Sequence, residues 1–382
     1  MAPLRLSAGC LTLLLYTIAA GALAAQQPLP PKPAPSTTDQ QRIDQLIRQL
    51  GGASFAEREQ AMKELVAVGV PALEPLRKAL QSKDPELIRR AQECIPIIER
   101  NVQIVTLIKA LKDKDSETRA QAAKQLGKFG PMADAAVPAL LEAFEDEDTS
   151  VWLDAKYAIA QIGPKAKKAV PKLIELLKKR EGRRSRTCDA AFVLGKIGPA
   201  AEEAVPALLD VLENYSTSAG RAEAARALGL IGGIDEKLIP ALLNGLKDLD
   251  VRVRRNSAEA LGNIGKEPAA CVPALLEALK KHKGLSLEDE ALSSYPTRTI
   301  ICALGRFGPG AKEAVPVLID ILKEPKQKNG LREESIETLR RIGPEAKKAI
   351  PMLNDLMKGM YNGIYSKEAS RALDSIQRKT PE

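Results

Sequence analysis

Histidine is almost missing from this chain: His282 is the only one in 382 residues. That excludes a His-Glu-x-x-His helix, a Cys/His zinc pattern and any other His-based metal cluster. A Ser-His-Asp or Cys-His arrangement would have to recruit the same His282, which lies between lysines, and no Gly-x-Ser-x-Gly motif accompanies it. Aromatic residues make up 3%, with one Trp, while hydrophobic residues make up 45%. Such a core of Ala, Leu, Val and Ile suits closely stacked helices. The cysteines, Cys10, Cys94, Cys188, Cys271 and Cys302, have no CxxC spacing and no framework pattern. Buried free thiols are expected, with a single bridge left open. The net charge of +8 is spread along the chain, so no nucleic-acid partner is expected. Carboxylates are abundant but fall at turns and on exposed helix faces. No catalytic residue, metal or cofactor is assigned, and the chain is not read as an enzyme.

What is present is a repeat. A Gly is followed eight residues later by a Pro at Gly130/Pro138, Gly163/Pro171, Gly198/Pro206, Gly232/Pro240, Gly265/Pro273, Gly308/Pro316 and Gly343/Pro351. The prolines recur every 33 to 35 residues, except for a gap of 43 before Pro316. Each unit has a helix after an Asp-x-x-x-Arg turn, as in Asp115…Arg119 and Asp250…Arg254. It ends at Leu-Gly-x-Ile/Phe-Gly. A second helix then starts near Val-Pro with an apolar stripe such as Val205, Leu208, Leu209 and Leu212. The Gly ends the first helix, and the Pro in the first turn of the second loses no intrahelical hydrogen bond. The longest gap reflects an insertion within His282–Pro296.

Ahead of the repeats, Arg5, the apolar Leu11–Ala20 and Ala22-Leu23-Ala24 read as a secretory signal peptide over residues 1–24. Residues 25–38 are a Pro-rich linker. Residues 39–101 form divergent N-terminal helices: Asp39–Leu50, a second to about Gly69, Ala72–Leu80, and one opened by Asp84-Pro85. Residues 102–377 hold the regular array, beginning with a separate helix Gln103–Leu111 and closing with a polar cap, Ser366–Gln377. Export places the protein in the periplasm or cell envelope of a bacterium. An uncleaved N-terminus would bring it close to the membrane.

These residues resemble the HEAT repeat family, most closely the short variant named after phycobilisome lyases. The likeness rests on Leu-Gly-x-Ile-Gly-Pro…Ala-Val-Pro-Ala-Leu and covers roughly Phe55–Gln377. It implies an all-α fold, an α-solenoid of about nine stacked antiparallel helix pairs. It also implies ladders of Asp and Arg between layers. Arg119, Arg221, Arg254 and Arg332 fit the Arg position. Trp152, Thr187 and Thr297 interrupt it, with Arg186 and Arg298 one residue aside. The missing histidines argue against the HEAT-like deoxyhypusine hydroxylases, and a secretory signal conflicts with bilin handling inside a cell.

The function expected is a non-catalytic, exported scaffold that binds a protein or peptide on the concave helix layer. The alternatives left open are an envelope spacer with no specific ligand and a bilin lyase-like or other unrecognised enzyme. The candidate partner-binding residues lie where the pattern fails. Trp152 replaces a ladder Arg, and Trp and Arg are common interface anchors. Its competing role is to cover a neighbour's core at the break. Tyr157, Arg184, Arg186, Tyr295 and Arg298 complete the set.

Overall fold

The structure is a computed structural model, described for residues 37–179, 186–233, 235–282, 297–324 and 329–378. The expected signal peptide, residues 25–36 of the linker, Cys10 and nearly all of the insertion lie outside the described residues. Every regular element among the described residues is a helix. They form two compact units, Met1–Val102 and Gln103–Glu382.

The first unit holds α1 (Thr37–Leu50), α2 (Phe55–Val68), α3 (Val70–Ala79) and the start of α4 (Pro85–Ala110). Ile43, Leu46, Leu50, Leu65, Leu76 and Ile98 form its core. Asp84 caps α4, accepting the Glu86 N–H at 3.0 Å, and Pro85 fills the first position, where no N–H is needed. One expectation fails here. Gln103–Leu111 is not a separate helix: α4 runs on through Ala110 with Pro96 inside it. No Gly or turn sequence separates the two stretches, and the helix continues past Pro96 instead of stopping there. Helix α1 also begins at Thr37, two residues earlier than its expected start.

The second unit alternates two kinds of helix. One layer is α5 (Ser116–Lys128), α7 (Thr149–Ile162), α9 (Thr187–Ile197), α11 (Ser218–Ile231), α13 (Val251–Ile264), α15 (Thr297–Arg306), α17 (Asn329–Ile342) and α19 (Ser366–Gln377). The other is α6 (Val137–Phe144), α8 (Val170–Lys178), α10 (Val205–Asn214), α12 (Leu238–Gly245), α14 (Pro268–His282), α16 (Val315–Lys323) and α18 (Ile350–Met357). This is an α-solenoid. All seven glycines of the Gly/Pro pairs have positive φ, between 54° and 70°, where a Cβ would be strained. Five of them open the same seven-residue 3-10 turn, as in Gly198–Ala204, whose Ala201 is fully buried. The other two copies lack Gly-Pro-x-Ala and this turn. At Gly265 the difference is large: Glu267 takes φ 51° and α14 begins at Pro268. Pro273 therefore lies inside α14, not in its first turn as expected.

The first Gly of each Leu-Gly pair has a separate job. It lies within the helix, where the next helix of its own layer comes close. A Cβ on Gly195 would sit 3.1 Å from the Ala227 Cα, on Gly229 2.5 Å from the Ala260 Cα, and on Gly262 2.7 Å from the Ala303 Cα. Successive helices of this layer touch far more than those of the Leu/Val-packed layer. Small residues at a crossing bring axes toward the short end of the usual 8–10 Å range. This Gly/Ala layer is the more closely approached of the two, and it is called the inner layer below.

An ionic ladder ties the turns between layers. Asp115, Asp148 and Asp250 cap α5, α7 and α13 through backbone N–H groups. The ladder carboxylates are others. Arg119 grips Asp146 in a fork, 2.8 and 3.0 Å, and Arg221 grips Asp248 at the same distances. Each Arg also donates through Nη1 to two carbonyls of its own turn, as Arg254 does to Asp248 and Leu249 at 2.8 Å. Burial pushes the Asp248 carboxyl up, but Arg221 and the Asp250 N–H outweigh it and hold it below its ordinary value.

Two predictions follow from this packing. Gly229→Ala lowers stability by about 1–3 kcal/mol through overpacking, despite a helix-propensity gain of about 1 kcal/mol. Gly330→Ala, with nothing within 4 Å of its added Cβ, is neutral or stabilising; urea midpoints of the two variants check this. Arg221→Met costs about 2 kcal/mol at neutral pH, the worth of a charged hydrogen-bonded pair. Because the Asp248 pKa is depressed, that contribution is complete above about pH 4 and fades as pH falls through the folded value. Denaturation at pH 7 and at pH 3 should show the gap to wild type narrowing on acidification.

Candidate interaction surface

Trp152 sits where the ladder breaks. It is half-buried and packs against the core. Arg186, the cation one residue aside in the next repeat, is buried to 9% exposure. Its guanidinium lies 4.1 Å from the Trp152 ring centre and 5.4 Å from that of Phe144. From there its Nη2 donates to the Asp146 carbonyl at 3.3 Å. In the fifth repeat Arg254 makes the matching bond to the Asp248 carbonyl. The break is therefore bridged: an Arg from the following layer reaches back over the Trp. Desolvated cation–π contacts of this kind contribute about 2 kcal/mol.

Beside this clamp is an aromatic cluster that the sequence reading missed in part. Lys156 occupies a position that is Ala123, Ala191, Ala225 and Ala258 in other repeats. It is 9% exposed. Its ammonium donates to Asp189 at 3.1 Å and lies 5.5 Å from the Trp152 ring, 4.7 Å from Tyr157 and 5.4 Å from Phe192. Tyr157 and Phe192 each stand six residues before their turn Gly, so the repeat places them side by side on α7 and α9. Their rings meet edge to face at 5.9 Å and 86°. Arg226, at the same position of α11, lies 5.1 Å from the Phe192 ring centre and is held by Glu223 at 2.9 Å.

Tyr157 is 46% exposed and Leu230 39% exposed. The Leu230 Cδ1 lies over Gly195 of α9, 3.3 Å from where a Cβ would be. Tyr157, Phe192 and Leu230 thus run across three successive helices of the inner layer. Of the six candidate residues, Trp152, Tyr157 and Arg186 come together here. Arg298 does not: it lies on α15, exposed, 3.6 Å from Glu334, and does not bridge the ladder as Arg186 does. Arg184 and Tyr295 lie outside the described residues. Phe192 and Lys156 could have been found by aligning the copies on their turn Gly, which sets Phe192 against Tyr157 and Lys156 against alanines.

Chemistry elsewhere is sparse. A cavity of about 580 Å3 is lined by Glu213, Tyr215, Arg221, Asn244, Lys247 and Asp248 among others; of these, Arg221 and Asp248 are committed to the ladder. Cys94, Cys188, Cys271 and Cys302 are all free thiols. Burial pushes Cys94 and Cys271 up to about 11 and Cys302 to about 12, which removes nucleophilic thiolate at neutral pH. Among the described residues no group of His, Cys, Asp and Glu is arranged to hold a metal ion, and no helix is long and apolar enough to cross a membrane.

Removing the clamp should uncover the only Trp of the chain. Arg186→Ala is expected to raise acrylamide quenching of Trp152 fluorescence and shift its emission to the red, while far-UV circular dichroism stays helical.

Comparison with known proteins agrees with this geometry. A family model described as HEAT repeats matches residues 104–192 and 205–295. A second, described as PBS lyase HEAT-like repeat, matches 188–214. No curated protein matches the chain. Among solved structures, yeast importin-β (Kap95p) superposes with a TM-score of 0.52 at 13% identity, covering 89% of this chain and 52% of that one. Kap95p in a structure with RanGDP gives 0.53 at 13%, covering 88% and 52%. An engineered protein gives 0.46 at 23% identity, covering 88% and 99%. This chain thus spans about half the length of Kap95p, and the likeness is one of fold. The matched repeats, the positive-φ glycines, the layered helices and the Arg–Asp forks together make this chain a member of the HEAT repeat family.

Proposed function

We propose that the chain is a non-catalytic interaction scaffold that holds a protein or peptide partner against its inner helix layer. The observation that carries this reading is the Tyr157–Phe192 pair with Leu230. It is an apolar track on the inner layer, built from residues that depart from the repeat. Isolated exposed apolar residues are ordinary on a protein surface; a run across three helices, rimmed by cations, has the make-up of a binding patch. Kap95p, similar in fold, is a protein that binds RanGDP, which supports the reading as an analogy of architecture alone. The leader-like residues Arg5, Leu11–Ala20 and Ala22-Leu23-Ala24 support work outside the cytoplasm, in a bacterial periplasm or envelope.

Site-specific photo-crosslinking tests the scaffold. A photoreactive residue at position 192, on α9, should capture one reproducible protein from native envelope fractions. One at position 175, exposed on α8 of the other layer, should not. Tyr157→Ser should abolish the capture without moving the thermal midpoint by more than a few degrees. Equal capture from both layers would contradict the proposal.

A further inference from the structure

The charges around the track indicate which kind of partner fits, an inference that rests on the scaffold reading above. Two of the carboxylates that border the track are ion-paired and a third is hydrogen-bonded. Asp189 holds Lys156, Glu223 holds Arg226, and Glu117 accepts from Gln121 at 2.8 Å. Asp154 is the exception; burial raises its pKa, and Lys124 opposite works against that rise. The cations on the other side are not engaged. Lys128 ends α5, Lys165, Lys167 and Lys168 stand in the turn after α7, and Lys196 lies near the end of α9. All five are exposed, and none has a carboxylate within 4 Å among the described residues. Lys196 also stands 5.8 Å from the Phe192 ring centre, so one ammonium faces both the aromatic ring and solvent.

We propose that the Tyr157–Phe192–Leu230 track seats an extended acidic peptide segment. An aromatic or aliphatic side chain of the peptide covers the track, and its carboxylates meet Lys128, Lys196 and the turn lysines. The uneven pairing makes this case. A basic segment would find Asp189 and Glu223 already neutralised by Lys156 and Arg226, whereas an acidic one meets five lysines with no such partner. Lysines at the C-terminal ends of inner helices also stand where the helix dipole favours them, so the row costs the fold little.

Fluorescence anisotropy of the full chain with two labelled synthetic peptides tests this. Both carry the same Phe and Leu residues; one alternates them with Glu, the other with Lys. The acidic peptide should bind about tenfold more tightly at low salt, and the preference should shrink at physiological salt. Lys128→Glu combined with Lys196→Glu, both exposed and each costing the fold no more than a modest dipole contribution at a helix C-terminus, should abolish or invert the preference. Phe192→Ser should weaken binding of the acidic peptide. Binding of the Lys peptide as tightly as the Glu peptide, a preference unmoved by the charge reversal, or no binding of either peptide overturns the acidic-peptide inference. Concentration-dependent self-association lost on the same substitutions, with neither peptide bound, would assign the track to a second copy and overturn it too. Crosslinking at position 192 that still captures a protein would then leave the scaffold standing, so the two failures are distinguishable.

Discussion

The repeat unit depends on how closely one helix approaches the next. Gly195, Gly229 and Gly262 each face the backbone of an Ala one layer on, at distances where a side chain cannot be placed. That approach lets the inner helices pack close together. The other layer, packed through Leu140, Leu173, Leu208 and Leu318, all fully buried, keeps ordinary side-chain spacing. A tightly packed inner layer has little room for variation in its core. Its outward-facing positions, six and two residues before the turn Gly, are free to vary, and there the chain places Lys124, Tyr157, Phe192, Arg226 and Lys128, Lys196, Leu230.

Much of this architecture could be read from the residues alone. Helix ends leave strong marks, because a positive φ calls for Gly and a first helical turn tolerates Pro. All seven marked glycines adopt that conformation. The reading failed where a mark was missing or ambiguous. Between Asp84 and Ala110 no Gly ends the helix, and Pro96 is accommodated inside it, so two expected helices are one. Pro273 keeps its register while Pro268 takes over as the helix start. The first Gly of Leu-Gly was less legible, since a close approach depends on which residue of the next repeat lies opposite.

The proposed interaction surface was legible only in outline. Trp152 stood out as a break in the Arg pattern, and Arg186 as its displaced neighbour. That the two stack and rejoin the Asp146 turn depends on contacts between layers that no local pattern records. Its structural part is to mend the ladder, the role weighed against partner binding from the start. Phe192 and Lys156 were invisible as single residues. A Phe in an apolar run looks like core, and a Lys on a helix looks like surface. Here the Phe reaches the surface and the Lys is buried under three rings. Burial of that ammonium is compensated by Asp189 and by the ring faces, and it fixes the rings that form the track.

The proposed function is thus placed in the departures from the repeat that reach the surface, Tyr157, Phe192 and Leu230, and stability in its regular positions and in the Trp152–Arg186 clamp. Removing the surface rings separates the two most directly. A chain carrying Tyr157→Ala and Phe192→Ala together loses both rings and leaves the Trp152–Arg186 clamp and the Lys156–Asp189 pair in place. Its thermal midpoint and its capture of the crosslinked partner are measured side by side. A midpoint moved by no more than a few degrees, with capture lost, is the expected result. A chain that still captures its partner, or one that unfolds because these rings were needed for packing, would contradict it.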